Sequence, residues 1–422
     1  MRKPTILLMT NWYPSKDDPY RGAFFKEQAI ATSDYYNYIV LHCREMSKTP
    51  AIKVLFHRVK GKKYIFCLTN KEENTIEYDL KLFIPAYVWI LDIFVDLFKR
   101  YVRKVHIDGV GMYRSHSYYK WRKKLIEVFL KDERMGDFDY VYCINAQRES
   151  LNAYLISDYS HRPLIISEHA PFPRPGTVID NYQKECIEKA DLVLAISYDK
   201  IRQIMLQNIH PKKIAYIGNM VNEEQFVKNG ENVEGVPTFI IVAAYSFYKN
   251  YQMFIDVMNK LNSIAVKDFK ILVVGYGVTK GYSKNVEELE KMIDCSTFSD
   301  KTELVKLASR KEMVGLYNRS DVFIMTSIQE GMPVSALEAA CCGLPIFSTI
   351  CGGVEDYVTD ETGRLFKMCD SDSMARSLNE YLNGEISFSK ERIREYTISL
   401  FGKRAFSDRF KRCFEEVNYD GC

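Results

Sequence analysis

The chain has 422 residues and a mass of 49.2 kDa, enough for two domains of about 200 residues each. Apolar residues make up 47% and charged residues 27%, which excludes a disordered chain. Its 58 basic and 55 acidic side chains leave only +3, which excludes an overtly basic nucleic-acid binder. Residues 1–210 nevertheless carry 32 basic and 25 acidic side chains against 26 and 30 in the remainder, so +7 sits beside −4. The basic half could face an anionic partner such as a membrane surface. Eleven Cys, an odd number with no Cys-x-x-Cys pair, fit a reducing compartment in which Cys fills space. The opening apolar stretch is too short for a signal-peptide core and reads as a buried strand, so a cytoplasmic protein is expected.

In chain order, short apolar runs predict strands over Thr5–Thr10, Tyr38–His42, Tyr140–Ile144, Leu164–Ser167 and Leu192–Ser197. A second series follows at Phe239–Ala243, Lys270–Val274, Val322–Thr326 and Pro345–Ser348. Helical spacing predicts helices between them, as at Gly22–Thr32, Gln183–Lys189, Tyr251–Leu261 and Lys311–Asn318. This alternation signals an α/β fold with parallel sheets. The polar stretch Asn219–Pro237 separates the two series and marks a domain boundary.

The segment Phe83–Phe98 is apolar apart from Pro85, Asp92 and Asp96, and Lys99, Arg100, Arg103 and Lys104 follow it. It falls short of the about 20 apolar residues that a span requires. Two readings stand open: a core helix with a solvated basic end, or a helix lying on anionic lipid.

Asp321–Val358 carries the chemistry. A strand leads into Glu330-Gly331-Met332-Pro333, a helix runs to about Cys342, and a second strand ends at Cys351-Gly352-Gly353. In an open parallel sheet both loops lie at the carboxyl ends of strands, where ligands bind. Glu338 sits among Val334, Ala336, Leu337, Ala339 and Ala340, a setting suited to burial, where a carboxylate needs a partner such as a sugar diol. The free N–H groups at Gly331, Met332 and Val334 would form an anion site for phosphate. The plainer alternative is an acid favouring the helix dipole at Glu330 and a partly exposed Glu338.

The run EGMPVSALEA…GLPI…GG resembles the Glu-x7-Glu motif of retaining GT-B glycosyltransferases of family 4. Asn11–Gln28 resembles that family's first loop, Ser167-Glu168-His169 its Glu-His, and DLVLAIS (Asp191–Ser197) the last strand of its N-terminal domain. Gly218-Asn219-Met220-Val221-Asn222 resembles its interdomain turn, and KILVVGYG (Lys270–Gly277) the strand and loop beside the nucleotide base. The resemblance implies two Rossmann-like domains facing across a cleft: 1–218 for the acceptor, 219–400 for the nucleotide sugar, and a helix over 401–422 returning to the first. It implies a hexosyltransferase acting with retention and without metal or cofactor, moving a sugar to a glycan or lipid-linked acceptor in surface polysaccharide biosynthesis. Its cytoplasmic setting could include peripheral contact with an anionic membrane, and no nucleic acid is implied.

Residue by residue, the resemblance places Glu330 at the donor sugar, Glu338 at the ribose and Lys249 at the leaving diphosphate. It places the Gly331, Met332, Pro333 and Val334 backbone at diphosphate or sugar, Gly22 and Gly277 beside the donor, and His169 near the transferred sugar. The family's usual Arg five residues before the Lys is replaced by Ala244. Two readings from other classes stay open: a GT-B nucleotide-sugar epimerase, and a non-catalytic GT-B partner in a glycan assembly complex. Gly275–Gly281 lacks the acidic residue of a dinucleotide site, and Asp370-Ser371-Asp372 and Asp137-Phe138-Asp139 read as a loop and a strand approach.

Overall fold

A computed structural model of the chain describes residues 2–10, 12–14, 22–45, 64–103, 116–170, 172–173, 179, 181–228, 235–277 and 283–419. Asn11 and residues 15–21 of the first loop, Lys104, residues 229–234 of the boundary stretch and residues 278–281 of the Gly-rich motif lie outside them. The chain divides into two units. The first comprises Met1–Ile196, Lys200–Ile217 and Arg409–Cys422; the second comprises Ser197–Asp199 and Gly218–Asp408.

The first unit holds an eight-stranded sheet in the order β3-β4-β2-β1-β5-β6-β7-β8. Its strands are β1 (Thr5–Met9), β2 (Asn37–Glu45), β3 (Tyr64–Lys71), β4 (Thr75–Leu82), β5 (Tyr140–Ile144), β6 (Leu164–Glu168), β7 (Leu192–Ala195) and β8 (Ile214–Tyr216). All neighbours pair in parallel except the β3–β4 hairpin. The inner strands are near-continuous Val, Ile and Leu runs because helices cover both faces of a parallel sheet. Their side chains form one core with Ile126, Phe129, Ala153, Ile156 and Ile187 from those helices.

The hairpin was not among the expected strands. Its β4 half, TIEYDLKL, alternates apolar and charged residues, and Glu77 and Asp79 mask the run. The helix expected over 401–422 starts two residues later, at Lys403. Gly402 ends one helix (Lys390–Phe401), and Glu223 accepts the Lys403 N–H at 2.9 Å to start the next (Lys403–Tyr419). Within the first unit, Phe410 and Phe414 stack at 4.3 Å and pack edge-on to Tyr142 and Tyr140. The Arg409 guanidinium donates to the Ile217 carbonyl at 2.9 Å.

The second unit holds an all-parallel six-stranded sheet in the order β11-β10-β9-β12-β13-β14. Its strands are β9 (Thr238–Val242), β10 (Lys270–Val274), β11 (Thr302–Val305), β12 (Val322–Met325), β13 (Ile346–Thr349) and β14 (Gly363–Phe366). Phe239, Ile241, Ile271, Val273, Ile324 and Phe347 build its core with Phe254, Val257, Leu261, Met374 and Leu378 from the helices. The edge strands β11 and β14 escaped the sequence reading because each is four residues long and only partly buried.

Candidate functional site

Every expected site residue except Glu338, which lies midway along the helix Val334–Cys341, follows the carboxyl end of a parallel strand or opens the helix after it. In the second unit, β9 runs into the turn Phe247–Lys249, and β12 into the loop ending at Pro333. The two segments are clipped together. The Ile328 N–H donates to the Tyr248 carbonyl at 2.7 Å, and the Thr326 hydroxyl donates to the carbonyls of Lys249 and Asn250 at 3.1 Å. This fixes Lys249 over Glu330: Nζ lies 2.5 Å from Oε1, and the Ser327 hydroxyl donates to the same oxygen at 2.7 Å. The Glu330 side chain is 12% exposed and that of Lys249 29%, so the pair is partly shielded from water.

The loop after β13 locks onto this one. The Glu330 N–H donates to the Cys351 carbonyl at 2.7 Å, and the Thr349 hydroxyl to the Ser327 carbonyl at 2.6 Å. Gly353 has φ +77°, and a Cβ there would overlap the Gly331 carbonyl oxygen. The two glycine loops are therefore one packed unit, as their place beyond adjacent strands implied.

Asn219 holds the next residues. Its side-chain amide donates to the Met332 carbonyl at 2.7 Å, and its backbone N–H faces the Met332 sulfur at 3.1 Å. Pro333 then caps the helix Val334–Cys341 with no side-chain hydrogen bond, which leaves the first-turn N–H groups for an anion. Gly277, past β10, donates its N–H to the Lys306 carbonyl at 3.0 Å. Ala244 lies just past β9, two residues beyond its last position.

Glu338 is buried at 6% exposure, which sets aside the partly exposed alternative. The partner that its burial calls for is present within the protein. Arg310 Nη1 lies 2.9 Å from Oε1, and the Tyr317 hydroxyl donates to Oε2 at 3.3 Å. The protein itself supplies a counter-charge from the helix Arg310–Asn318, whose start a Ser309–Glu312 capping box fixes. Burial and the neighbouring Glu338 charge push the Tyr317 hydroxyl well above its ordinary range, so it stays a neutral donor.

In the first unit, Gly22 opens the helix Ala23–Ala31 with φ +64°, and a Cβ there would overlap the Trp12 carbonyl oxygen. Phe25 from that helix meets the His169 ring edge-on at 4.7 Å, and His169 Nε2 lies 3.2 Å from the Ser167 hydroxyl. Gly22 and His169 thus share one neighbourhood through Phe25. Lys200, fully buried, donates to the Ala170 carbonyl and to Gln203 Oε1 at 2.8 Å, and so anchors the segment after His169.

Sequence reasoning missed Arg310, Tyr317, Ser327 and Lys200 as site neighbours, and read Asn219 only as part of a turn. The one available signal was Ser327-x-x-Glu330, whose spacing suits a local hydrogen bond. Asp137-Phe138-Asp139 leads into β5 as read, with Asp139 accepting the Thr5 N–H at 2.7 Å, whereas Asp370-Ser371-Asp372 is not a loop but the cap and first turn of the helix Ser371–Asn383, where Asp370 accepts the Ser373 N–H at 3.0 Å. Among the described residues no group of His, Cys, Asp and Glu is arranged to hold a metal ion.

Two parallel α/β units with their loops at strand carboxyl ends define the GT-B fold. Solved structures of that class match nearly the whole chain: Anabaena HepE in complex with UDP and glucose aligns with TM-score 0.67 at 14% identity, over 98% of this chain and all of that one (100%). Residues 221–399, within the second unit, match the family Glycosyl transferases group 1. The chain is also similar to two bacterial enzymes. The N,N'-diacetylbacillosaminyl-diphospho-undecaprenol alpha-1,3-N-acetylgalactosaminyltransferase of Campylobacter jejuni is 25% identical over 333 residues, 74% of this chain and 79% of that one. The lipopolysaccharide 1,6-galactosyltransferase of Escherichia coli is 26% identical over 234 residues, 54% and 62%. The chain spans about half the length of the first curated relatives it matches.

Proposed function

We propose that the protein is a retaining, metal-independent glycosyltransferase of family 4. It moves a sugar from a nucleoside-diphosphate sugar to a glycan or lipid-linked acceptor in surface polysaccharide biosynthesis, and works in the cytoplasm at the inner face of the cell membrane. The observation that carries this reading is the Lys249–Glu330 pair beside a helix N-terminus with no side-chain cap. An ammonium and free N–H groups at one place suit a departing diphosphate, whose developing charge they stabilise without a metal. The relatives' names, a galactosyltransferase and a diphospho-undecaprenol N-acetylgalactosaminyltransferase, support the reaction class and a lipid-linked acceptor.

In this reading the acceptor hydroxyl oxygen forms a bond to the anomeric carbon as the bond from that carbon to the diphosphate oxygen breaks. The acceptor proton passes to the leaving phosphate. Glu330 orients the sugar hydroxyls, and Glu338, its position fixed by Arg310 and Tyr317, accepts from the ribose. Gly277 borders the base. His169 and Gly22 line the side of the transferred sugar and its acceptor.

The test is thermal stabilisation by UDP-, GDP-, ADP- and TDP-sugars with a chelator present, followed by transfer to lipid-linked saccharides. UDP-glucose is the first donor to try, because UDP and glucose occupy HepE. A donor at 100 times its Kd stabilises the fold by about 2.7 kcal/mol. A selective shift that survives chelation and is lost in Glu338→Ala is expected. No shift with any donor would overturn the reading in favour of a non-catalytic GT-B partner.

A further inference from the structure

The helix Ala86–Arg103 in the first unit has two unlike faces. Its inward face carries Val88, which packs with Ile84 and Tyr118, and the buried Asp92. Its outward face carries Tyr87, Ile90, Phe94, Leu97, Phe98 and Tyr101, spaced by three and four residues and therefore aligned in one stripe. This stripe is open to solvent: Phe94 is 67% exposed, Phe98 69% and Tyr101 86%. A soluble surface rarely presents a run of large aromatic and aliphatic side chains of this length without a partner. The adjoining helix His116–Phe129 packs against it through Tyr118 and presents Lys120, Lys123 and Lys124 to solvent. Lys123 lies 4.0 Å from Asp158, and both are exposed, so water screens that pair.

We propose that this stripe is a docking surface for an anionic lipid bilayer, with the helix lying flat in the interface and the three lysines at the head groups. Charge complementarity selects this occupant. An apolar stripe on one helix and exposed lysines on the helix packed beside it match acyl chains beneath negative head groups. A second copy of the chain would cover the apolar side chains but bring two like-charged lysine clusters to one surface. The aromatic content suits the boundary as well, since Tyr rings at both ends of the stripe can keep their hydroxyls among the head groups. No described helix is long and apolar enough to cross a membrane, which fits an in-plane contact. The inference deepens the placement at the inner membrane face made above, and supplies the residues and lipid class for it.

The experiment is flotation of the purified full chain with vesicles of phosphatidylcholine alone or mixed with a quarter phosphatidylglycerol, without nucleotide sugar. The wild type is expected to float with the anionic vesicles and to be released by high salt. Phe94→Glu with Phe98→Glu should abolish binding, while Lys120→Glu, Lys123→Glu and Lys124→Glu together should weaken it at least about tenfold. Unchanged thermal melts would show that both variants fold, since every substituted side chain is exposed. No flotation by the wild type, or equal flotation by the variants, overturns the proposal. So does a dimer in sedimentation that Phe94→Glu dissolves, which would assign the stripe to a second copy. Donor-induced stabilisation is read on the same protein without vesicles, so failure of lipid docking and failure of the transferase reading are separable.

Discussion

Lys249 and Glu330 stand 81 residues apart in sequence and meet at 2.5 Å, with the Ser327 hydroxyl as a second donor to the same carboxylate oxygen. The carboxylate thereby holds the ammonium in the turn Phe247–Lys249 that follows β9. On the proposed transferase reading, replacing Lys249 by Met removes a charge contact that would grow as the leaving group departs. The expected result is a loss of kcat on the order of 100-fold with a smaller change in KM. Glu330→Gln should instead raise KM as well, because a sugar contact is lost. Steady-state kinetics on the donor selected above would distinguish the two patterns.

Arg310 and Glu338 make a different kind of pair, with the Glu338 side chain only 8% exposed. Arg310→Met strands a buried carboxylate and is expected to destabilise the fold by about 3–5 kcal/mol. Arg310→Met with Glu338→Met should recover most of that loss, because an apolar pair carries no desolvation penalty, yet should not regain donor-induced stabilisation. Denaturant melts of the three variants check the first expectation and nucleotide titration the second.

Gly353 and Gly275 share positive φ, at +77° and +80°, but not surroundings. A Cβ at Gly275 meets nothing within 4 Å, so Gly275→Ala should cost only the backbone strain, about 1–2 kcal/mol. At Gly353 the same methyl overlaps the Gly331 carbonyl oxygen, so Gly353→Ala should force the two loops apart. The expected outcome is a larger drop in Tm together with loss of donor binding, measured side by side with Gly275→Ala.

Asp356 accepts the Tyr198 N–H at 3.1 Å, yet burial, aided by Glu355 and Asp199, pushes its carboxyl up to about 6. The folded state therefore binds this proton more tightly than the unfolded chain does. Between about pH 4 and pH 6 the group's contribution to stability falls as pH rises, and above that it remains a constant penalty. Asp356→Asn keeps the acceptor and removes the charge. Its Tm should exceed the wild type's at pH 7.5, and the gain should vanish near pH 4.

The inner strands were legible because burial on both faces writes an uninterrupted apolar word: YVYCI and KILVV run as read from the sequence, Tyr140–Ile144 and Lys270–Val274. The β3–β4 hairpin was not, since β3 is largely exposed and the buried Glu77 and Asp79 break that word in β4. Glu330 was legible from its loop, Glu338 from its apolar neighbours. Arg310 was not, because nothing local ties an Arg at one helix start to a Glu on another helix; only packing joins them. The outward stripe on Ala86–Arg103 was half legible: apolarity showed in the sequence, but which side chains face solvent depends on where Val88 and Asp92 are buried.

The last segment of the chain belongs to the first unit, where Phe410 and Phe414 cover Tyr140 and Tyr142. A ribosome delivers these two rings only after residues 1–408, and with them the second unit, have emerged. The N-terminal sheet must therefore wait, its tyrosines uncovered, while the second unit is made and can already close on itself. A chain cut before Arg409 would therefore retain every candidate site residue while leaving an aromatic surface of the first unit open to aggregation.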